Sequence, residues 1–219
     1  MKIIEPSVEL INPISYEVAL NTIELAGRTC YQSEDKMTEG SAEDFIRRII
    51  QRGHESVLEH VSVTARFICD RGVSHEIVRH RIGAYSQEST RYCNYSDGKF
   101  GGEIAVILPE FWGEDDGRYW VWKDRCEDAE DDYLWLLKRG ATPQEARSVL
   151  PNSLKTSLIV TYTIREWRHF FRLRCYPAAH PQIRQAATLA TALLTARYPG
   201  FFAGLEVCHL RHSTVLTYT

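Results

Sequence analysis

Residues 61–69 carry Val61, Val63, Ala65, Phe67 and Cys69 at every second position. A two-residue period is that of a half-buried strand, so any fold for this chain must contain a sheet. Thr156 to Thr163 is rich in β-branched residues and reads as a second strand, and Ile104 to Leu108 as a third, apolar one. The remaining apolar residues follow a helical period. Ser15 opens a stretch with Val18, Ile23 and Ala26 that ends near Gly27–Arg28. Ser41 with Asp44 resembles a capping box before the stripe Phe45, Ile46, Ile49 and Ile50, which stops at Gly53. Asp70-Arg71-Gly72 reads as a turn, with Ser74 as N-cap of a helix carrying residues 75–82. A polar loop is expected from Gly83 to about Gly102. Residues 117–139 then form a long helix with Trp122, Cys126, Ala129, Tyr133, Leu136 and Leu137 on one face, stopped by Gly140. Thr142-Pro143-Gln144-Glu145 combines a capping box with a proline at the first helical position. Two further helices are expected over 164–175 and 181–198. The mixture is α+β.

The chain has 219 residues, 44% hydrophobic and 25% charged, which excludes wholesale disorder. No apolar run approaches the roughly 20 residues that span a bilayer, and no secretory leader opens the sequence, so a cytoplasmic protein is expected, with no membrane partner. A net charge of −3 argues against a bulk polycation that coats nucleic acid. That figure conceals segregation. Residues 114–132 hold nine acidic and three basic side chains, whereas 163–184 hold five arginines against Glu166 alone. Six cysteines, at 30, 69, 93, 126, 175 and 208, have no metal-finger spacing and are expected to be reduced and mostly buried.

The histidines do not assemble a metal site in sequence. His75 and His80 are five apart, about 140° around a helix, so they do not share a face. His54 and His60 flank Glu55 and Glu59, and His209 and His212 have no third ligand nearby. No metal is expected. Arg79-His80-Arg81 is read as the last turn of the helix opened by Ser74. The polar run Tyr85 to Arg91 follows it. Hydroxyls and backbone N–H groups there suit phosphate oxygens, with Arg91 supplying a bidentate charge. Arg165, Arg168 and Arg172 form a helical stripe with His169 beside it, and their partner charges are missing from the segment. Guanidinium is the planar donor wanted for phosphate or a nucleobase edge. Arg147 is a further candidate.

Arg79-His80-Arg81, seven residues and then Ser89 resembles the R-H-R-x7-S signature of flavin-dependent thymidylate synthases, within the string RHRIGAYSQESTRY. GHESVLEH at 53–60, Arg147 and the stretch Thr163 to Gln182 are similar to the same family. The resemblance implies a single domain over 1–219, with a mixed or antiparallel sheet flanked by helices, assembling as a homotetramer with shared active sites. It implies reductive methylation of dUMP at C5 to dTMP, with 5,10-methylenetetrahydrofolate giving the carbon and NADPH-reduced FAD the hydride. Carried over by position, FAD is bound by Ser56, Arg79, His80, Arg81, Gln87, Thr163, Ile164, Arg165 and His169, with His54 on the flavin–folate side. dUMP is bound by Glu76, Ile77, Val78, Arg79, Gln87, Glu88, Ser89, Thr90, Arg91, Arg147 and Arg174. Arg174 matches the arginine that helps ionise the uracil and is the catalytic residue.

The chain departs from the family pattern at Ala84, Ser86, Gln87 and Glu76, where Ser, Asn, Glu and Gln are common, and at Thr163 and His169, where many members carry asparagine. No Ser–His or Cys–His pair suggests a nucleophile, which agrees with chemistry delegated to cofactors. The same residues fit three other readings. One is a variant acting on another pyrimidine nucleotide or installing a hydroxymethyl group. Another is a nucleic-acid module that uses the arginine stripe and stacks bases on Tyr85, Tyr92 and Tyr95, a reading the acidic helix and the net charge disfavour. The third is a degenerate family member that binds nucleotide without turnover.

Overall fold

A computed structural model describes residues 1–205, so Cys208, His209 and His212 lie outside the described residues. The chain divides into two compact units. One comprises Met1–Ile11 and Thr64–Thr161, and the other Asn12–Val63 with the chain from Tyr162 onward. Helices and sheets are mixed, as the periodicity requires.

The first unit holds the sheets. β1 (Lys2–Ile4) pairs in parallel with β5 (Ala105–Ile107), with Ile3 opposite Val106. A four-stranded sheet runs in the order β2-β3-β6-β4. β2 (Ser7–Ile11) is antiparallel to β3 (Ser62–Asp70), and β4 (Ala84–Gln87) is antiparallel to β6 (Lys155–Thr163). Along β3 the side chains at Val63, Ala65, Phe67 and Cys69 are buried, as their spacing predicts. β4 falls inside the stretch expected to be loop. Its residues Tyr85-Ser86-Gln87 are polar because an edge strand need bury only part of its surface.

Helix α4 (Gly117–Lys138) turns Cys126 and Tyr133 into a core with Tyr95, Ile104, Val106 and Leu154, and Trp122, Leu136 and Leu137 pack at its margin. Glu130 is buried on the same helix, and its carboxylate accepts the backbone N–H of Ile104 at 2.8 Å. Helix α5 (Pro143–Ala146) starts with the expected capping box of Thr142 and Glu145.

Two helix starts differ from their sequence reading. α3 (Arg71–Ile77) begins one turn early, because Asp70 and not Ser74 is the N-cap, accepting from the N–H of Val73 at 2.7 Å. Ser74 is buried within the helix. Arg79-His80-Arg81 therefore lies beyond the helix end, past the cap residue Val78, rather than in the last turn. α2 (Ser41–Gln51) is capped by Gly40 in a left-handed conformation, and the Ser41 hydroxyl donates instead to Glu24 at 2.8 Å. No capping box forms there.

The second unit is helical in its described part. Besides α2 it holds α1 (Tyr16–Thr29), which is capped by Ser15, with α6 (Ile164–Arg174) and α7 (Pro181–Arg197). Its core is aromatic: Trp167 stacks on Phe171 at 5.7 Å, meets Tyr162 edge-on at 4.8 Å and donates its indole N–H to the Val63 carbonyl. Among the described residues no helix is long and apolar enough to cross a membrane.

Candidate functional site

In the sheet-bearing unit the turn after α3 is pinned from within. The Tyr85 hydroxyl donates to the His80 carbonyl, and the His80 N–H bonds the Ile77 carbonyl at 3.1 Å. His80 is buried while Arg79 and Arg81 project outward. Arg79, Arg81 and Arg91 form no ion pair with any described residue, and Arg91 lies over the Tyr92 ring at 5.3 Å. Arg147, just after α5, donates to the buried Thr90 hydroxyl at 3.2 Å. Ser89 Oγ accepts the N–H of Arg91. Arg91 and Arg147 next to the Ser89 and Thr90 hydroxyls are a donor set of the kind an anionic phosphate requires.

Other expected ligands have duties inside the fold. Both Glu88 oxygens are occupied, one by the Tyr95 hydroxyl at 2.9 Å and the other by Lys155 at 2.6 Å. The Ile77 side chain is fully buried, whereas Val78 is exposed and Glu76 half-buried. Gln87 Nε2 donates to Ser74 Oγ at 2.8 Å and Thr156 Oγ1 at 3.2 Å. Tyr85 turns its hydroxyl inward and Tyr95 is buried against Tyr133, so only Tyr92 of the three tyrosines is open for stacking.

In the helical unit, the short 3-10 segment Glu55–His60 supplies the acids that the arginine stripe lacks in its own segment. Glu55 takes Arg168 at 3.0 Å and Arg172 at 2.5 Å, and Glu59 takes Arg165 at 2.5 Å. The stripe is thus paired, contrary to its sequence reading, because its partners lie more than a hundred residues away. Arg184 donates to the Pro177 carbonyl. Burial alone would raise the Glu55 carboxyl, but Arg172 and Arg168 outweigh it and hold it below its ordinary value. Burial pushes the Glu166 carboxyl upward, opposed by His169 and Arg165.

The flavin candidates of this unit divide by accessibility. His54 and Ser56 are exposed on or beside the 3-10 segment, and Arg165 and His169 are exposed on α6. Thr163 is the N-cap of α6, its hydroxyl oxygen accepting from the Glu166 N–H at 3.2 Å. Ile164 is fully buried and its N–H bonds the Val61 carbonyl. Arg174 is half-buried at the last position of α6. Sequence reasoning overlooked Ser74, Thr156 and Lys155 as supports for these residues. It met Glu55 and Glu59 only as neighbours of histidines, and nothing local in GHESVLEH points to arginine partners on α6.

The family model described as thymidylate synthase complementing protein matches residues 14–200. The chain belongs to this family. The flavin-dependent thymidylate synthase of Geobacter sulfurreducens is 35% identical over 187 residues, covering 82% of this chain and 79% of that protein. That of Mycobacterium tuberculosis is 34% identical over 210 residues, covering 88% and 82%. Among solved structures, a UMP/dUMP methylase PolB from Streptomyces cacaoi, bound with 5-Br dUMP, superposes with a TM-score of 0.75 at 24% identity, over 92% of this chain and 95% of that one. At that identity the likeness establishes the shared fold. The span matched to the thymidylate synthase complementing family contains both the Arg79–Arg91 turn and helix α6.

Proposed function

We propose that this chain is a flavin-dependent thymidylate synthase, a methyltransferase converting dUMP to dTMP by reductive methylation at C5. Its carbon donor is 5,10-methylenetetrahydrofolate and its reductant NADPH, and it works in the cytoplasm as a homotetramer of single-domain subunits with shared active sites. The observation that carries this reading is that Arg79, Arg81 and Arg91 are exposed and without ion-pair partners among the described residues, in the R-H-R-x7-S segment of a chain of this family.

FAD, when bound, supplies the hydride chemistry that no side chain here offers. The residues present fit it: the unpaired Arg79 and Arg81 would offset its negative charge, and His80, Ser56, Gln87, Thr163, Ile164, Arg165 and His169 would hold it, with His54 on the folate side. Thr163 spends its hydroxyl lone pair on the helix cap and keeps its O–H to donate. Arg165 exchanges its exposed pair with Glu59 for a ligand at little cost, since such pairs contribute less than about 1 kcal/mol. Arg91, Ser89, Thr90 and Arg147 hold the dUMP phosphate, and Arg79 reaches toward the same nucleotide. Glu76, Ile77, Val78, Gln87 and Glu88 complete its surroundings. Glu88 stays tied to Tyr95 and Lys155 and acts by shaping the turn. Arg174 polarises the uracil at N3.

Purified full-length protein is expected to show the visible absorption of bound flavin. With methylenetetrahydrofolate and NADPH it should release tritium from 5-tritiated dUMP. A flavin-loaded, folded protein that releases none contradicts the synthase reading. Mass analysis of the nucleotide product separates a methyl from a hydroxymethyl group.

A further inference from the structure

Gln87 ends edge strand β4, opposite Leu158 of β6, with its side chain half-buried. Its Nε2 donates to Ser74 Oγ at 2.8 Å and to Thr156 Oγ1 at 3.2 Å. A primary amide has two N–H donors, so both are used. The direction of this contact is fixed one step further back. The single hydrogen of the Ser74 hydroxyl goes to the Arg71 carbonyl at 2.9 Å, leaving only lone pairs toward Gln87. Turned over, the amide would set Oε1 against an oxygen with no hydrogen to give, at the same close separation. Ser74 and Thr156 are both fully buried and held in α3 and β6, so neither can swing away without disturbing the core. The Gln87 carbonyl oxygen is left as the only hydrogen-bonding atom of that side chain not engaged by a described residue.

We propose that Ser74 and Thr156 are positioning residues that lock the Gln87 amide, so that Gln87 faces the nucleotide as an acceptor only. The inference rests on the proposed binding of dUMP. A locked acceptor favours a ligand that offers a donor and rejects one that offers a lone pair at the same place. On a pyrimidine deoxynucleotide the candidate donors are uracil N3–H, which cytosine lacks, and the 3′-hydroxyl of the sugar. An amide released from Ser74 would rotate and offer its NH2 instead, so loss of the lock weakens selectivity as well as affinity.

The test uses flavin-loaded Ser74→Ala, Thr156→Val and Gln87→Leu proteins, with dUMP, dCMP and 3′-deoxy-dUMP titrated calorimetrically and by perturbation of the flavin spectrum. Thr156→Val is expected to weaken dUMP about tenfold, a change of about 1.4 kcal/mol, with the flavin retained. It should raise KM for dUMP far more than it lowers kcat, and Thr156→Ser should restore the wild-type value. Ser74→Ala should act alike, and its effect should vanish when Gln87 is already leucine, as a double-mutant cycle would show. If the preference for dUMP over dCMP narrows in the positioning variants, Gln87 reads the base. If discrimination against the 3′-deoxy analogue narrows, it reads the sugar. Unchanged dUMP affinity and unchanged selectivity in folded Ser74→Ala protein overturn the proposal, as does an effect of Ser74→Ala that persists in the Gln87→Leu background. Failure of the synthase reading itself would appear separately, as wild-type protein that does not bind dUMP.

Discussion

Glu55→Ala is expected to lower the unfolding free energy by about 3–5 kcal/mol, the usual cost of stripping one partner from a buried ion pair. The Arg168 side chain is only 4% exposed and that of Glu55 13%. Without the carboxylate, Arg168 keeps the carbonyls of Phe201 at 2.5 Å and Ala203 at 3.4 Å, dipoles that offset little of a full buried charge. Arg172, nearly half exposed, can hydrate and adds little to the cost. Urea unfolding followed by far-UV circular dichroism measures the change. Glu59→Ala is the control: Glu59 and Arg165 are each about half exposed, and its loss should cost under about 1 kcal/mol. Equal losses from the two substitutions would show that burial does not set the strength of these pairs. The same site carries a pH dependence. Because the folded Glu55 carboxyl titrates below its unfolded value, its contribution is full above about pH 4.3 and is lost as pH falls through the folded value. Glu55→Gln should therefore flatten the acid limb of the stability curve.

Arg174→Ala is expected to reduce kcat/KM for dUMP by about 10²–10³, the range seen when one donor aimed at developing charge is removed. The arginine is half-buried at the last position of α6. The flavin absorption should be unchanged, and Arg174→Lys should recover little activity, since a single ammonium does not reproduce a planar fork of donors. Flavin loss with intact dUMP affinity would move Arg174 from the substrate to the cofactor. Steady-state kinetics with a flavin-to-protein absorbance ratio reads both outcomes.

The parts of this fold that were legible in the sequence are those in which burial writes a period. The alternation of β3, the β-branched run of β6 and the stripe of α4 are each dictated by a face turned inward. β4 was illegible because an edge strand has polar residues whose pairing comes entirely from β6. α3 was misplaced because Asp70 and Ser74 are both competent caps, and the choice falls to Asp70 through packing that buries Ser74. The R-H-R signature named the candidate site, but its support did not lie nearby in the chain. Thr156 reaches Gln87 across 69 positions and Glu55 reaches Arg172 across 117. Such pairings have no local period, so a stripe of arginines looks unpaired until the chain is folded.

The distribution of thiols gives the protein a ready address for covalent labelling. Burial pushes the Cys126 thiol up to about 11, against a small opposing effect of Ser153, and drives Cys69 higher still. Cys175 is also enclosed and Cys93 half so, while Cys30 stands in solvent just past the end of α1. Since the thiolate is the reacting species, a maleimide dye would meet Cys30 first among the described cysteines. A reporter could then sit on the helical unit with no residue of the Arg79–Arg91 segment altered.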